Sequence, residues 1–264
     1  MSASEKTFWE HLEDLRWVII RSLVAWLLAA CLVFTQKELL TSIVFAPHDS
    51  NFVIYRLLCE LAEKVHFAAI CPPPFTVELL NTRLAAPFFT HITTSFYAGI
   101  VVAFPYLIFQ LWKFIAPALY AHEKRRTFVF LICGILLFAC GILLAYYLIF
   151  PIAFRFLGTY AFGSDVVNRI DLQSYMSTFY TTILAVGLVF QMPILAYFLA
   201  KIGIVKAKHL RQYHRHAVVV ILLVAAIVTP TADPFTLMLL GIPMYFLYLL
   251  SIRVAQYAER RSVL

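Results

Sequence analysis

Four stretches of this chain, 17–35, 88–112, 128–150 and 175–200, run for roughly 19 to 26 residues with Arg21 as their one Asp, Glu, Lys or Arg. A hydrocarbon core about 30 Å thick takes about 20 apolar residues as a helix. In lipid every backbone N–H and C=O must be satisfied within the fold, so such runs are read as transmembrane helices. With 62% hydrophobic and 13% charged residues in 264, the chain lies far from soluble composition, where about 25% of residues are charged. The net charge of +7 sits in short clusters between apolar runs and not on one amphipathic face, which favours membrane orientation over nucleic acid.

The segment 1–16 is polar, and the run 17–35 that follows lacks a small-residue cleavage site, so it is read as span 1 and not as a removed leader. Phe8, Leu12, Leu15 and Ile19 recur at helical spacing, and Thr7 with Glu10 fits a capping box. Glu10 and Asp14 stand four residues apart on the polar side, where like charges repel by a few tenths of a kcal/mol, roughly. Two readings fit that face: a site for a cation, or a solvated surface with Lys6 and Arg16 as neighbours.

Residues 36–84 form a long extramembrane segment. Ile54, Leu57, Leu58, Leu61 and Val65 make an apolar stripe opposite Arg56, Glu60, Glu63 and Lys64, the pattern of a surface-lying amphipathic helix. Cys71 to Pro74 then stiffen the return as polyproline. A Cys59–Cys71 disulfide is chemically permitted if this loop is outside the cytoplasm. Cys31, Cys133 and Cys140 lie in apolar runs and read as packing residues.

Span 2, 88–112, carries Pro105 near its end, which predicts a kink. The loop 113–127 leads to span 3, 128–150, which stops before Pro151, and the loop 151–174 leads to span 4, 175–200. After the loop 201–216 the lengths change. The run 217–229 has only 13 residues, and its partner, 235–252, is interrupted by Gly241 and Pro243, so spans 5 and 6 are expected to be a short, irregular hairpin. His214 and Tyr213 extending the helix is an equally good reading of the first of these. The side holding the N-terminus collects 15 Lys and Arg, including those of the tail 253–264, against 6 on the other side. The positive-inside rule then puts both termini in the cytoplasm, around six spans.

No HExxH, GxSxG, P-loop or CxxC pattern occurs, so hydrolase, metalloprotease and ATPase chemistry has no local support. His209, His214 and His216 cluster without carboxylate or Cys partners, so no metal site is expected, nor any cofactor. Ionisable groups are nearly missing from the spans, against what a proton-coupled carrier of a small solute requires. Gln191 is the clearest polar group inside a span, either a helix-to-helix hydrogen bond or a contact for a transiting partner. Asp14 and Glu123 remain as carboxylates suited to bidentate pairing with guanidinium. For Glu123, pairing with its own neighbours Lys124, Arg125 and Arg126 fits equally.

The string from Phe104 to Arg126, with Gln110, Trp112, Phe114, Pro117, Leu119, Tyr120 and Glu123, resembles the signature of the TatC family, the core subunit of the twin-arginine protein translocase. HLEDLR at His11 to Arg16, APFF at Ala86, the FP at Phe150 and Pro151, the VTPTADPFT turn and IPM near Pro243 extend the likeness over almost the full length. The resemblance implies an all-α, glove-shaped bundle of six spans in a bacterial inner membrane. Such a protein is not an enzyme; it binds twin-arginine signal peptides of folded cargo and uses the proton-motive force. It also implies oligomeric assembly with TatA and TatB type single-span subunits in membrane lipid. Carried over by residue, it places signal-peptide binding at Asp14, Glu123, Glu10 and Tyr120. Gln191 falls in the bundle interior, Asp233 and Thr229 at partner helices, and Pro47, Pro105, Phe114 and Pro117 at structural positions. The chain departs from the family's pattern in having Asp at 14 and Gln at 191 where Glu is usual, Leu237 where Gln is frequent, and a longer 36–84 loop.

Overall fold

The computed structural model describes residues 8–65, 75, 77–115, 124–160, 169–229 and 234–262. These are almost all helical. In order they form α1 (Phe8–Thr35), α2 (Lys37–Phe45), a 3-10 turn (Ala46–His48), α3 (Val53–Val65), β1 (Glu78–Leu80), α4 (Ala86–Ile115), α5 (Lys124–Leu144), a π-helical turn (Ala145–Ile149), α6 (Phe150–Thr159) and β2 (Arg169–Asp171). Then come α7 (Leu172–Val189), α8 (Met192–Lys201), α9 (Ala207–Gln212), α10 (His214–Val228) and α11 (Pro234–Ser262). Among the described residues, five stretches are long and apolar enough to cross a membrane: Leu12–Thr35, Ala86–Phe114, Val129–Thr159, Leu172–Lys201 and Thr236–Glu259. α10 is apolar but has only 15 residues, a rise of about 22 Å. It starts at His214, so the polar flank does extend the helix.

Two boundaries differ from the sequence reading. The run expected to stop before Pro151 continues through α6 to Thr159. The π turn explains how: Phe150 N–H reaches back five residues to Ala145 O, and a five-residue register passes over the N–H that Pro151 lacks. The last helix is not short either. It runs unbroken through Gly241 and Pro243 to Ser262, because its Leu240, Met244, Leu247 and Tyr248 face is buried and packing overrides local propensity. α4 likewise continues through Pro105.

The chain divides into two compact units, Met1–Lys37 with His91–Leu136 and Glu38–Thr90 with Leu137–Leu264. In the first, Gly99 of α4 meets α1 so closely that an added Cβ would lie 2.8 Å from the backbone N and Cα of Ala30. Beside that contact, Trp26 Nε1 donates to Phe96 O at 2.9 Å and Phe34 stacks on His91 with centroids 4.2 Å apart. Ala30 meets Gly99 whereas Phe34, one turn later in α1, meets His91, two turns earlier in α4, so this pair runs antiparallel.

One end of the second unit is an aromatic assembly in which tyrosine hydroxyls donate to main-chain carbonyls. Tyr55 donates to Pro151 O at 2.7 Å, Tyr146 to Ile43 O at 2.9 Å and Tyr175 to Val44 O at 2.8 Å. Phe150, Phe154 and Phe179 pack around Tyr175. α3 and the Phe52 before it lie on this assembly: Phe52, Ile54 and Tyr55 form a cluster against which Leu58, Tyr146, Leu148 and Ile152 pack. Its outer residue Leu57 stays exposed. The Arg155 guanidinium sits over the rings of Tyr55 and Phe75, 5.9 and 5.6 Å from their centroids. Pro47 is fully buried here, and the neighbouring His48 ring nitrogen bonds Val77 O at 2.7 Å. β1 and β2 pair in parallel, Glu78 with Arg169 and Leu80 with Asp171. Asp171 then caps α7 by accepting from Gln173 N at 3.1 Å. Cys59 is disulfide-bonded and Cys31, Cys133 and Cys140 are free; Cys71 lies outside the described residues.

Candidate functional site

The close contact of Gly99 with Ala30 fixes the relative height of the two ends of the first unit. Sixteen residues back from Ala30 is Asp14, and sixteen on from Gly99 is Ile115, about 24 Å in either direction at 1.5 Å per residue. Asp14 is therefore level with the last residue of α4, from which the chain enters 116–123. Glu10 is exposed and Asp14 half-buried, one turn apart on α1. Arg21 lies over the Trp17 ring, 5.9 Å from its centroid.

The last turns of α4 present Phe109 stacked on Trp112 at 6.0 Å, an exposed Lys113 and a half-buried Phe114. Gln110 is 4% exposed. Its amide nitrogen donates to the Tyr106 hydroxyl one turn earlier, while its carbonyl oxygen is buried without a hydrogen-bond partner among the described residues. Pro105, two turns before Lys113, is exposed. Pro117, Tyr120 and Glu123 lie outside the described residues.

In the second unit, the polar group singled out in span 4 stands at a break. α7 ends at Val189 and α8 starts at Met192, because the Pro193 ring would clash with the carbonyl four residues earlier. Pro193 instead takes the first turn of α8, where its missing N–H costs no bond. Gln191 is buried, and its main-chain carbonyl accepts from Ile194 N and Leu195 N, both at 3.0 Å. The break is packed against α5: a Cβ on Gly141 would meet the Phe190 ring at 2.8 Å, and one on Gly187 the Phe138 ring at 2.8 Å. Thr229, at the end of α10, is buried and donates its hydroxyl to Ala225 O at 2.9 Å. Asp233 lies outside the described residues. The two acidic residues of α1 are thus brought together, whereas Gln191 and Thr229 sit on separate helices of the other unit. Among the described residues no group of three or more His, Cys, Asp and Glu side chains converges as metal ligands do.

Residues 10–243 match the family described as Sec-independent protein translocase protein (TatC). The chain belongs to the TatC family. A Sec-independent protein translocase protein TatC of Blattabacterium sp. subsp. Periplaneta americana is 31% identical over 98% of both chains. One of Deinococcus radiodurans is 34% identical over 92% of this chain and 83% of its own, and one of Aquifex aeolicus 31% identical over 96% of both. Two solved structures of TatC, described as the twin arginine translocase receptor, superpose at TM-scores of 0.70 and 0.74 with 30% identity. They cover 94% and 93% of this chain, and it covers 99% of each. The TatC match therefore includes all of α4 and all but the first two residues of α1.

Residues that sequence reasoning passed over include Tyr55, Tyr146, Tyr175 and Arg155, which build the aromatic end. Their signal was the density of aromatic residues with one proline in 146–156, followed by Tyr175. Gln110 entered only as part of a signature, and its burial beside Tyr106 follows from the four-residue spacing on one helix face.

Proposed function

We propose that this chain is the signal-peptide receptor and core subunit of a twin-arginine translocase, exporting folded proteins across a bacterial cytoplasmic membrane. The observation that carries the reading is the family match across 10–243, joined to the height of Asp14, level with the last residue of α4. In this reading Asp14 and Glu123 each take a guanidinium of the twin-arginine motif in a bidentate pair, with Glu10 and Tyr120 alongside. Asp14 is one methylene shorter than Glu, so the peptide has to approach α1 more closely. α10 counts as a sixth, short crossing, and both termini are cytoplasmic under the positive-inside rule. Gln191, Thr229 and Asp233 belong to the side that receives TatA and TatB type single-span partners. Transport draws on the proton-motive force. The rival, a carrier of small solutes, finds no support in the family or the fold match.

Crosslinking a twin-arginine signal peptide to membranes containing the full chain tests this. Glu123→Lys should lower the yield at least tenfold, and Asp14→Lys comparably, each matching the loss seen when the peptide's two arginines become lysines. Full-yield crosslinking to a correctly inserted Glu123→Lys protein would remove that carboxylate from the site.

A further inference from the structure

The end of the second unit opposite the aromatic assembly carries a surface that combines exposed isoleucines with cations. α8 ends in a tight turn at Gly203, which has a φ of 79°. Ile204 N and Val205 N both return to Leu199 O, at 3.0 and 3.2 Å. That turn leaves Ile202 67% exposed and Ile204 68% exposed. The chain then enters α9, whose first N–H, Ala207 N, donates to Glu259 Oε1 at 2.6 Å. Leu210 O accepts from the Tyr248 hydroxyl at 2.5 Å. Both tethers come from α11. Glu259 closes the apolar stretch Thr236–Glu259 and Tyr248 lies within it, so α9 is held against the C-terminal half of that stretch. Lys206, Lys208, Arg211 and Arg215 are all exposed on this fixed platform, and Tyr213 is 53% exposed beside them.

Exposed isoleucines and a ring of cations at one level, between α8 and the apolar α10, match a bilayer surface in both of its layers. Aliphatic side chains gain by entering the acyl boundary, and Lys and Arg gain by meeting phosphate oxygens just above it. An acidic peptide would satisfy the cations and leave the isoleucines in water. We infer that residues 202–215 are a docking site for anionic phospholipid: Ile202 and Ile204 enter the leaflet while Lys206, Lys208, Arg211 and Arg215 hold phosphodiester headgroups. Each cation near such a surface contributes about a fivefold gain in local lipid occupancy, and tethering of α9 means that no loop has to be ordered on binding. The inference rests on α7–α8 and α11 crossing a bilayer and stands apart from the signal-peptide reading.

The test is native mass spectrometry of the full chain in detergent, titrated with phosphatidylglycerol or phosphatidylcholine. The wild type should hold phosphatidylglycerol in preference, and K206Q/K208Q/R211Q/R215Q should lose that preference at least tenfold. The control R56Q/K64Q on α3 should leave it unchanged. If the quadruple variant fails to accumulate, K208Q and R211Q singly should each lower retention at least twofold, and I202S/I204S should lower retention of both lipids. Equal retention by wild type and charge variants overturns the inference. Displacement of the lipid by millimolar inorganic phosphate would make this a free-anion site, and mole-for-mole displacement by an acidic peptide would make it a protein-binding face; either result overturns it as well.

Discussion

The two ends of the larger unit solve the same problem, where to stop a bundle of apolar helices, in opposite ways. At the aromatic end, hydroxyls of Tyr55, Tyr146 and Tyr175 terminate on main-chain carbonyls, so chain segments far apart in sequence are bolted directly to one another. At the basic end, α9 hangs from α11 by the Glu259 and Tyr248 bonds and the charged side chains point outward. A buried hydroxyl on a carbonyl fixes geometry because losing either partner strands a polar group. An exposed cation fixes nothing and remains available for exchange between partners. One end is therefore bonded into the fold, and the other presents its charges to solvent.

Three substitutions or titrations test that contrast. The largest effect is expected from Tyr175→Ala, which removes a fully buried ring from among Phe150, Phe154 and Phe179 together with the bond to Val44 O. A loss of about 3–5 kcal/mol follows from the cavity alone. Thermal unfolding in detergent should show a transition lowered well below the wild type's, and an unchanged transition would mean that the aromatic end is not the rigid one.

Alkaline titration should act next, and at the same end. Burial holds the Tyr55 phenol above its ordinary value near 10, with Arg155 opposing the shift. The neutral hydroxyl is the form that donates to Pro151 O, so its contribution is complete below about pH 10 and is lost as pH rises through the elevated folded value. Hydrogen exchange in α3 should therefore accelerate in that alkaline range in the wild type beyond the chemical increase with pH, and Tyr55→Phe should abolish the extra acceleration. Exchange in α3 that follows the intrinsic rate alone would remove Tyr55 as the clamp.

The smallest effect is expected at the basic end. Glu259→Ala leaves the first N–H of α9 without its carboxylate, at about 1 kcal/mol for a lost helix cap, while Glu259→Gln keeps an acceptor oxygen and should fall between. Protease cleavage within 202–213 should rise severalfold for the alanine variant with the main unfolding transition nearly unmoved. A collapse of the whole unit would show that this end is as permanent as the other.

Much of this was legible in the residues. Apolar runs pointed to four of the five long apolar helices, and the Ile54, Leu58 stripe to α3, because burial of one face dictates periodicity directly. What stayed hidden depends on register and tertiary contact. Pro151 reads as a stop unless the π turn before it is known, and Pro243 reads as an interruption unless the buried Leu240 and Met244 face is known. The pairing of Glu78–Leu80 with Arg169–Asp171 joins short segments too polar to announce themselves as strands. For the candidate site, the residue types were readable at Asp14, Gln110 and Glu123. The level of Asp14 against the end of α4 was not, since it depends on the approach of Gly99 to Ala30.

The interruption at Phe190 and Gln191 gives span 4 a double allegiance. α7 delivers Tyr175 and Phe179 to the bolted end, whereas α8 packs along α11 and runs to the basic loop. A crossing made as one straight rod would transmit any tilt at one face to the other. Two rods meeting at a proline joint let each half keep the direction that its own packing sets, α7 among the rings of the aromatic end and α8 along α11.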